Sequence, residues 1–140
     1  MYQHRHAIRV RYGETDQMSY VYYGNYALYY EVGRVETMRS LGLSYAFFEN
    51  EIGVMMPVMK MDIEFLRPAF YDQELTILTT IPELPGREIL FQSEIFNENK
   101  NRQQGPNIVV FCGQINQKES RCAAHFIRKA SRILCLGGID

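Results

Sequence analysis

The sequence has no tryptophan, only three cysteines and a formal net charge of −1. Each shortage excludes something. Cys112, Cys122 and Cys135 are odd in number, and no two of them have C-x-x-C spacing. They read as free thiols in a reducing compartment. Lys plus Arg, at 15, nearly balance Asp plus Glu, at 16. That balance argues against nucleic-acid binding driven by backbone electrostatics. No apolar run approaches the length of a transmembrane helix. The opening MYQHRHAIRV has no apolar h-region. No signal peptide is therefore expected, and a cytoplasmic location is. A G-x-S-x-G nucleophile elbow is missing, and so is a glycine-rich phosphate loop.

What remains is an ordinary soluble globule. The chain has 140 residues, 46% hydrophobic and 22% charged, which predicts one domain over 1–140 with its own core. Aromatics are unevenly placed. There are ten Tyr and eight Phe, and seven of the tyrosines lie between Tyr12 and Tyr30. Tyrosine brings bulk and a polar tip, so such a cluster suits an interface or a pocket wall.

The hydrophobic period changes along the chain. Ile8, Val10 and Tyr12 alternate with Arg9 and Arg11, as in a half-buried strand. Gly13 to Ser19 reads as a turn. From about Tyr23 to Leu41 the spacing is helical. Leu28, Val32 and Val35 make one apolar line and Tyr26, Tyr30, Gly33 and Thr37 another, with Glu36 and Arg39 as a narrow polar edge. A helix apolar around most of its girth is expected to be central and buried. Gly42 is its natural stop, and Ser44 suits the cap of a short second helix ended by Gly53. Period two then returns. Met59, Met61, Ile63 and Phe65 predict one strand, Leu75 to Ile81 a second and Ile89 to Ile95 a third. Pro82 to Gly86 predicts a turn, Asn97 to Pro106 a polar hairpin loop, and Asn107 to Ile115 a last strand. One strand, a long helix and four further strands predict an α+β fold, an antiparallel sheet wrapping one helix. The basic stretch 117–140 gives no legible pattern.

Glu14 and Asp16 stand just ahead of the helix. A helix N-terminus offers unpaired N–H groups and a partial positive charge. A carbonyl placed there would be polarised while a carboxylate attacks it or activates a water. Taken alone, an aspartate at this place is a cap or turn residue. Glu14 suits a structural role, bonding loop amides. Asn25 suits helix capping or ligand contact. His4 and His6 share a strand face, as a metal pair would, but have no third ligand and read as solvated surface, with no metal expected. His125 reads as surface and Cys112 as an inert core residue.

The run RYGETDQMSYVYYGNYALYYEVGR, Arg11 to Arg34, resembles the opening of the hotdog-fold acyl-CoA thioesterases, in the branch of 4-hydroxybenzoyl-CoA thioesterase and the Tol-Pal-associated thioesterases. That pattern is roughly R-[YF]-x-E-T-D-x-x-G-x-V-[YF]-[YH]-x-x-Y, followed by E-x-x-R, here Glu31 to Arg34. IEFLRPAFYDQEL, Ile63 to Leu75, looks like a second stretch of the same family, and LPGREILFQSEIFN, Leu84 to Asn97, like its next strand. The resemblance covers about residues 6 to 97.

It implies a hotdog fold, a long central helix wrapped by a curved antiparallel five-stranded sheet. It implies a homodimer, extendable to a homotetramer, with active sites at the dimer interface, and hydrolysis of an acyl-CoA substrate without metal or cofactor. Asp16 falls at the family's catalytic aspartate, as nucleophile or general base, and Tyr23 at the helix N-terminus whose main-chain N–H meets the thioester carbonyl. Asn25 and Arg67 are the substrate-binding candidates. Arg67, Arg87, Lys100, Arg102, Lys118 and Arg121 are candidates to rim the entrance for the CoA phosphates, and only Arg67 has a fixed place in a motif. Met55, Met56, Met59, Phe47 and Phe48 suggest an apolar acyl tunnel or, equally, core. Two positions depart from the pattern. Ser19 stands where Gly is usual, which would be strained at positive φ. Tyr23 stands where many members have His; a phenol does not shuttle protons at neutral pH, but a main-chain N–H is unaffected. The alternatives are a hotdog dimer that binds an acyl thioester or aromatic ligand without turnover, and hydrolysis of acyl carrier protein thioesters.

Overall fold

The computed structural model of the protein describes residues 1–85, 88–97, 107–113 and 115–116. Strand β1, Tyr2–Arg9, comes first. Helix α1, Tyr26–Ser40, follows. Then come β2, Val54–Met55; β3, Val58–Glu64; β4, Glu74–Ile81; β5, Glu88–Phe96; β6, Asn107–Gly113; and β7, Ile115–Asn116. Five strands form one antiparallel sheet in the order β1-β4-β5-β6-β3. Helix α1 lies across one face of that sheet, against β1, β4 and β5. The expected α+β arrangement, a hotdog sheet around one helix, is thus what the chain forms. The pairing of β2 with β7 was not foreseen; two residues are too few to show a period. The basic tail after Asn116, the loop 98–106, Gly86 and Arg87 fall outside the described residues, as do all the basic rim candidates except Arg67.

Period-two strands deliver what their spacing promised. Leu75, Ile77, Thr79 and Ile81 on β4 are buried, and so are Ile89, Phe91, Ser93 and Ile95 on β5. Two of these inward positions are hydroxyls, and they satisfy one another, with Ser93 Oγ 3.1 Å from Thr79 Oγ1. The edge strands behave differently. On β3, Met61 and Ile63 are half-buried, while Val58 and Met59 are exposed. On β1 the sequence placed Val10 and Tyr12 in the strand, but pairing ends at Arg9. Val10 is instead strapped to the turn before β4 (its N–H donates to Gln73 O, and Asp72 N–H to Val10 O). Tyr12 opens a single 3-10 turn and is exposed. His4 and His6 are not free surface either. They sit half-buried on the inward face of β1. Burial and the neighbouring His6 lower the His4 pKa below its ordinary value.

One line of α1 is buried as its spacing predicts: Tyr26, Tyr30, Gly33 and Thr37. The other is not. Leu28 is 53% exposed and Val32 37%, because that face points away from the sheet of its own chain. The helix begins later than its pattern, a 3-10 turn occupying Tyr23–Asn25. It ends in a Schellman motif. Gly42 has φ +68, Gly42 N–H donates to Arg39 O and Leu43 N–H to Met38 O. Ser44 caps the next turn as read, its Oγ accepting the Phe47 N–H at 3.1 Å.

Gly33 sets the distance between helix and sheet. A Cβ there would meet Ile77 Cγ2 at 2.5 Å and Thr79 Oγ1 at 3.0 Å. Glycine in a helix interior costs about 1 kcal/mol relative to alanine, and here close packing offsets it. Gly33→Ala should therefore destabilise the protein despite its better helix propensity. Denaturant unfolding should show a loss of about 1–3 kcal/mol, the usual range for overpacking; a gain would mean that the helix is not held this tightly.

Candidate active site

The loop carrying Asp16 is a tight hairpin. Asp16 N–H donates to Tyr20 O, Tyr22 N–H to Glu14 O and Ser19 N–H to Asp16 O. Ser19 closes it at φ +64, the left-handed conformation in which a serine costs about 1–2 kcal/mol more than a glycine. The Asp16 side chain is half-buried. Its Oδ1 accepts the Met18 N–H at 2.8 Å, and among the described residues Oδ2 accepts nothing.

The second motif is stitched onto this hairpin. Val21 N–H donates to Ala69 O, and Ala69 N–H to the Tyr26 hydroxyl at 3.3 Å. The segment after β3 is thereby brought over the start of α1. Between them lies a cleft of about 410 Å³ bordered by Asp16, Tyr23 and Arg67, with Met18, Tyr22, Tyr26, Phe65 and Leu66 among its walls. Three of the four residues singled out from the sequence thus face one space. Aromatic rings form much of the wall. Tyr22 and Tyr23 lie 4.5 Å apart between centroids, Tyr23 and Phe65 6.4 Å, and Tyr26 and Phe65 5.5 Å. The hydrogen bond of Tyr22 with Tyr23, more than any other influence, pushes the Tyr22 phenol up, and the Asp16 charge adds to it.

Tyr23 is the first residue of the helical run, after Tyr22 as its cap. Its N–H therefore has no acceptor within the helix, and it sits at the positive end of the macrodipole. Asn25, read from the sequence as a capping or ligand-contact residue, is not among the residues that border this cleft. It makes no cap bond to the helix. Its Nδ2 donates instead to Glu14 O at 2.8 Å. The residues suggested for an acyl tunnel or core lie elsewhere. Phe48 and Met56 are core, Met55 and Met59 are exposed, and none of the five residues borders this cleft.

Sequence reasoning missed how much converges on Glu14. That residue is 8% exposed. Its Oε2 accepts the Arg11 N–H at 2.8 Å and the Tyr29 hydroxyl at 2.6 Å. Its Oε1 accepts Arg11 Nε at 2.9 Å and Nη2 at 2.6 Å. Burial pushes the Glu14 carboxyl up, but the bonds from Tyr29 and Arg11 outweigh it and hold it below the ordinary carboxylate value. Burial, then the bond to Glu14, pushes the Tyr29 phenol up. A glutamate three residues from an arginine was a visible signal. The tyrosine 15 residues on was not, because only the folded loop brings it near.

Among the described residues there is no group of three or more His, Cys, Asp or Glu placed to hold a metal ion, and no helix is long and apolar enough to cross a membrane. The family model of the thioesterase superfamily matches residues 18–103. The Bacillus subtilis protein YneP is 35% identical over 97 residues, 69% of this chain and 70% of its own. The Escherichia coli acyl-CoA thioester hydrolase YbgC is 32% identical over 108 residues, 77% of this chain and 80% of its own. The solved DHNA-CoA thioesterase from Staphylococcus aureus superposes with a TM-score of 0.83 at 26% identity, covering 97% of this chain and 93% of its own. Motif, fold and match agree: the chain belongs to the thioesterase superfamily, among the hotdog acyl-CoA thioesterases, and is a thioester hydrolase.

Proposed function

We propose that the protein cleaves acyl-CoA to free acid and CoA, with Asp16 as the reacting carboxylate and the Tyr23 main-chain N–H as the donor to the thioester oxygen. The observation that carries this is their shared cleft. A thioester carbonyl has weak resonance, so a modest pull on its oxygen exposes the carbon. The Tyr23 N–H and the helix dipole supply that pull, and one such donor is typically worth roughly 3–4 kcal/mol.

Two routes fit the site. In one, Asp16 adds to the carbonyl carbon, the C–S bond breaks, and the CoA thiolate takes a proton from water. Water then hydrolyses the resulting mixed anhydride. In the other, Asp16 takes a proton from a water whose oxygen adds to the same carbon, and the proton passes to the leaving sulfur. Neither needs a proton shuttle at position 23. Arg67, exposed at the rim, suits a CoA phosphate, and the ring-lined wall suits an apolar acyl group. Asn25 serves as a brace behind Glu14.

The functional unit we infer is a homodimer. Leu28 on α1 and Val58 and Met61 on β3 border a common groove of about 440 Å³, and Val32 and Met59 extend the same exposed apolar character. A helix face and a sheet edge that is unpaired among the described residues, meeting in this way, suit a second copy of the chain. Light scattering should find a dimer and a monomer for Val32→Glu; a monomeric wild type would remove the second copy from the account.

Thiol release from short, long and aromatic acyl-CoAs tests the catalytic reading. Asp16→Asn, folded and with unchanged melting temperature, should lose about 100- to 10,000-fold in kcat. Turnover unchanged in this variant would mean that another group does the chemistry.

A further inference from the structure

We infer that Glu14 is a positioning residue for the reaction: its buried carboxylate clamps the Asp16 hairpin to helix α1 through Tyr29, and so sets Asp16 against the helix N-terminus. The inference rests on the catalytic reading of Asp16 given above.

Three connections leave this one residue. The carboxylate holds Arg11, at the entry to the loop, by its main-chain N–H and by both Nε and Nη2. The same carboxylate takes the Tyr29 hydroxyl at 2.6 Å, from the first turn of α1. The main-chain carbonyl takes the Tyr22 N–H and Asn25 Nδ2, from the segment that leads into the helix. Asp16 follows two residues later, and Tyr23 begins one residue after Tyr22. The two groups that must flank a thioester carbonyl are therefore both tied to the same short piece of backbone.

Saturation also assigns the roles of the two acids. Glu14 accepts four hydrogen bonds on its carboxylate and is buried, so it has no free lone pair aimed at solvent. Asp16 accepts one and borders the cleft. A charge-assisted bond such as Tyr29 to Glu14 is short and strong, and a misplacement of about 1 Å in a reacting group costs about 100-fold. Loosening the clamp should therefore act on the chemical step more than on substrate binding.

The test is a comparison of kcat and KM for Glu14→Gln, Tyr29→Phe and the double variant, with Asp16→Asn alongside, all assayed well below their melting temperatures. Glu14→Gln should lose about 10- to 100-fold in kcat with KM nearly unchanged. Tyr29→Phe should lose less, and the double variant should be no worse than Glu14→Gln, since both changes break one connection. A residue that merely supports the fold would lower the melting temperature and leave kcat of the folded protein intact, and that result overturns the inference. Fully additive losses overturn it as well. Tyr29→Phe removes one hydrogen bond while keeping the ring, and its kcat decides the matter where Glu14→Gln does not fold. An active Asp16→Asn overturns the catalytic reading and this inference with it. An inactive Asp16→Asn beside a fully active Glu14→Gln overturns this inference alone.

Discussion

The seat of α1 on the sheet is the constraint on which the remaining structure depends. A helix carries its N-terminal charge wherever its axis goes, so a site built on that charge is only as fixed as the axis. Gly33 lets the helix backbone come down onto Ile77 and Thr79, closer than any residue with a Cβ permits. Tyr26 and Tyr30, about two turns and one turn earlier on the same line of the helix, are buried with it. Thr37, one turn further, returns its hydroxyl to Gly33 O at 2.7 Å and so adds no unsatisfied polar atom to the interface.

With the helix fixed, local surroundings set two neighbouring acids apart. Glu14 and Asp16 are two residues apart and chemically almost the same. Their surroundings separate them. One is buried and fully bonded to a guanidinium, a phenol and a main-chain N–H; the other is half-buried and nearly unbonded. Assignment by environment rather than by residue type is a general feature of carboxylate chemistry in enzymes. The strained Ser19 belongs to the same picture, since its left-handed conformation closes the hairpin that presents Asp16.

Much of this was legible in the chain, and for identifiable reasons. The inward residues of β4 and β5 follow from strict alternation, and the end of α1 follows from Gly42. Asp16, Tyr23 and Arg67 stand out as candidates because two motifs carry them, and the structure brings those motifs together through the bond from Val21 N–H to Ala69 O. Other features leave no trace in the sequence, for physical reasons. Periodicity says that Leu28 and Val32 are apolar but not which surface covers them. Two-residue strands such as β2 and β7 have no period. Val10 and Tyr12 continue the alternation of β1, yet the backbone bonds of Val10 go to a turn more than 60 residues away. His4 and His6 looked like a solvated end because nothing in their spacing reveals that β1 pairs along its whole length with β4.

The central claim is that a main-chain N–H at the start of α1 polarises the thioester carbonyl opposite Asp16. Infrared difference spectra of a carbonyl-labelled acyl-CoA bound to the inactive Asp16→Asn variant read that interaction directly. The account predicts a thioester carbonyl stretch shifted to lower frequency than in water, and the same shift when Tyr23 is also replaced by Phe, because the donor is main chain. A bound carbonyl with an unshifted stretch, or a shift that disappears with the Tyr23 phenol, would contradict it.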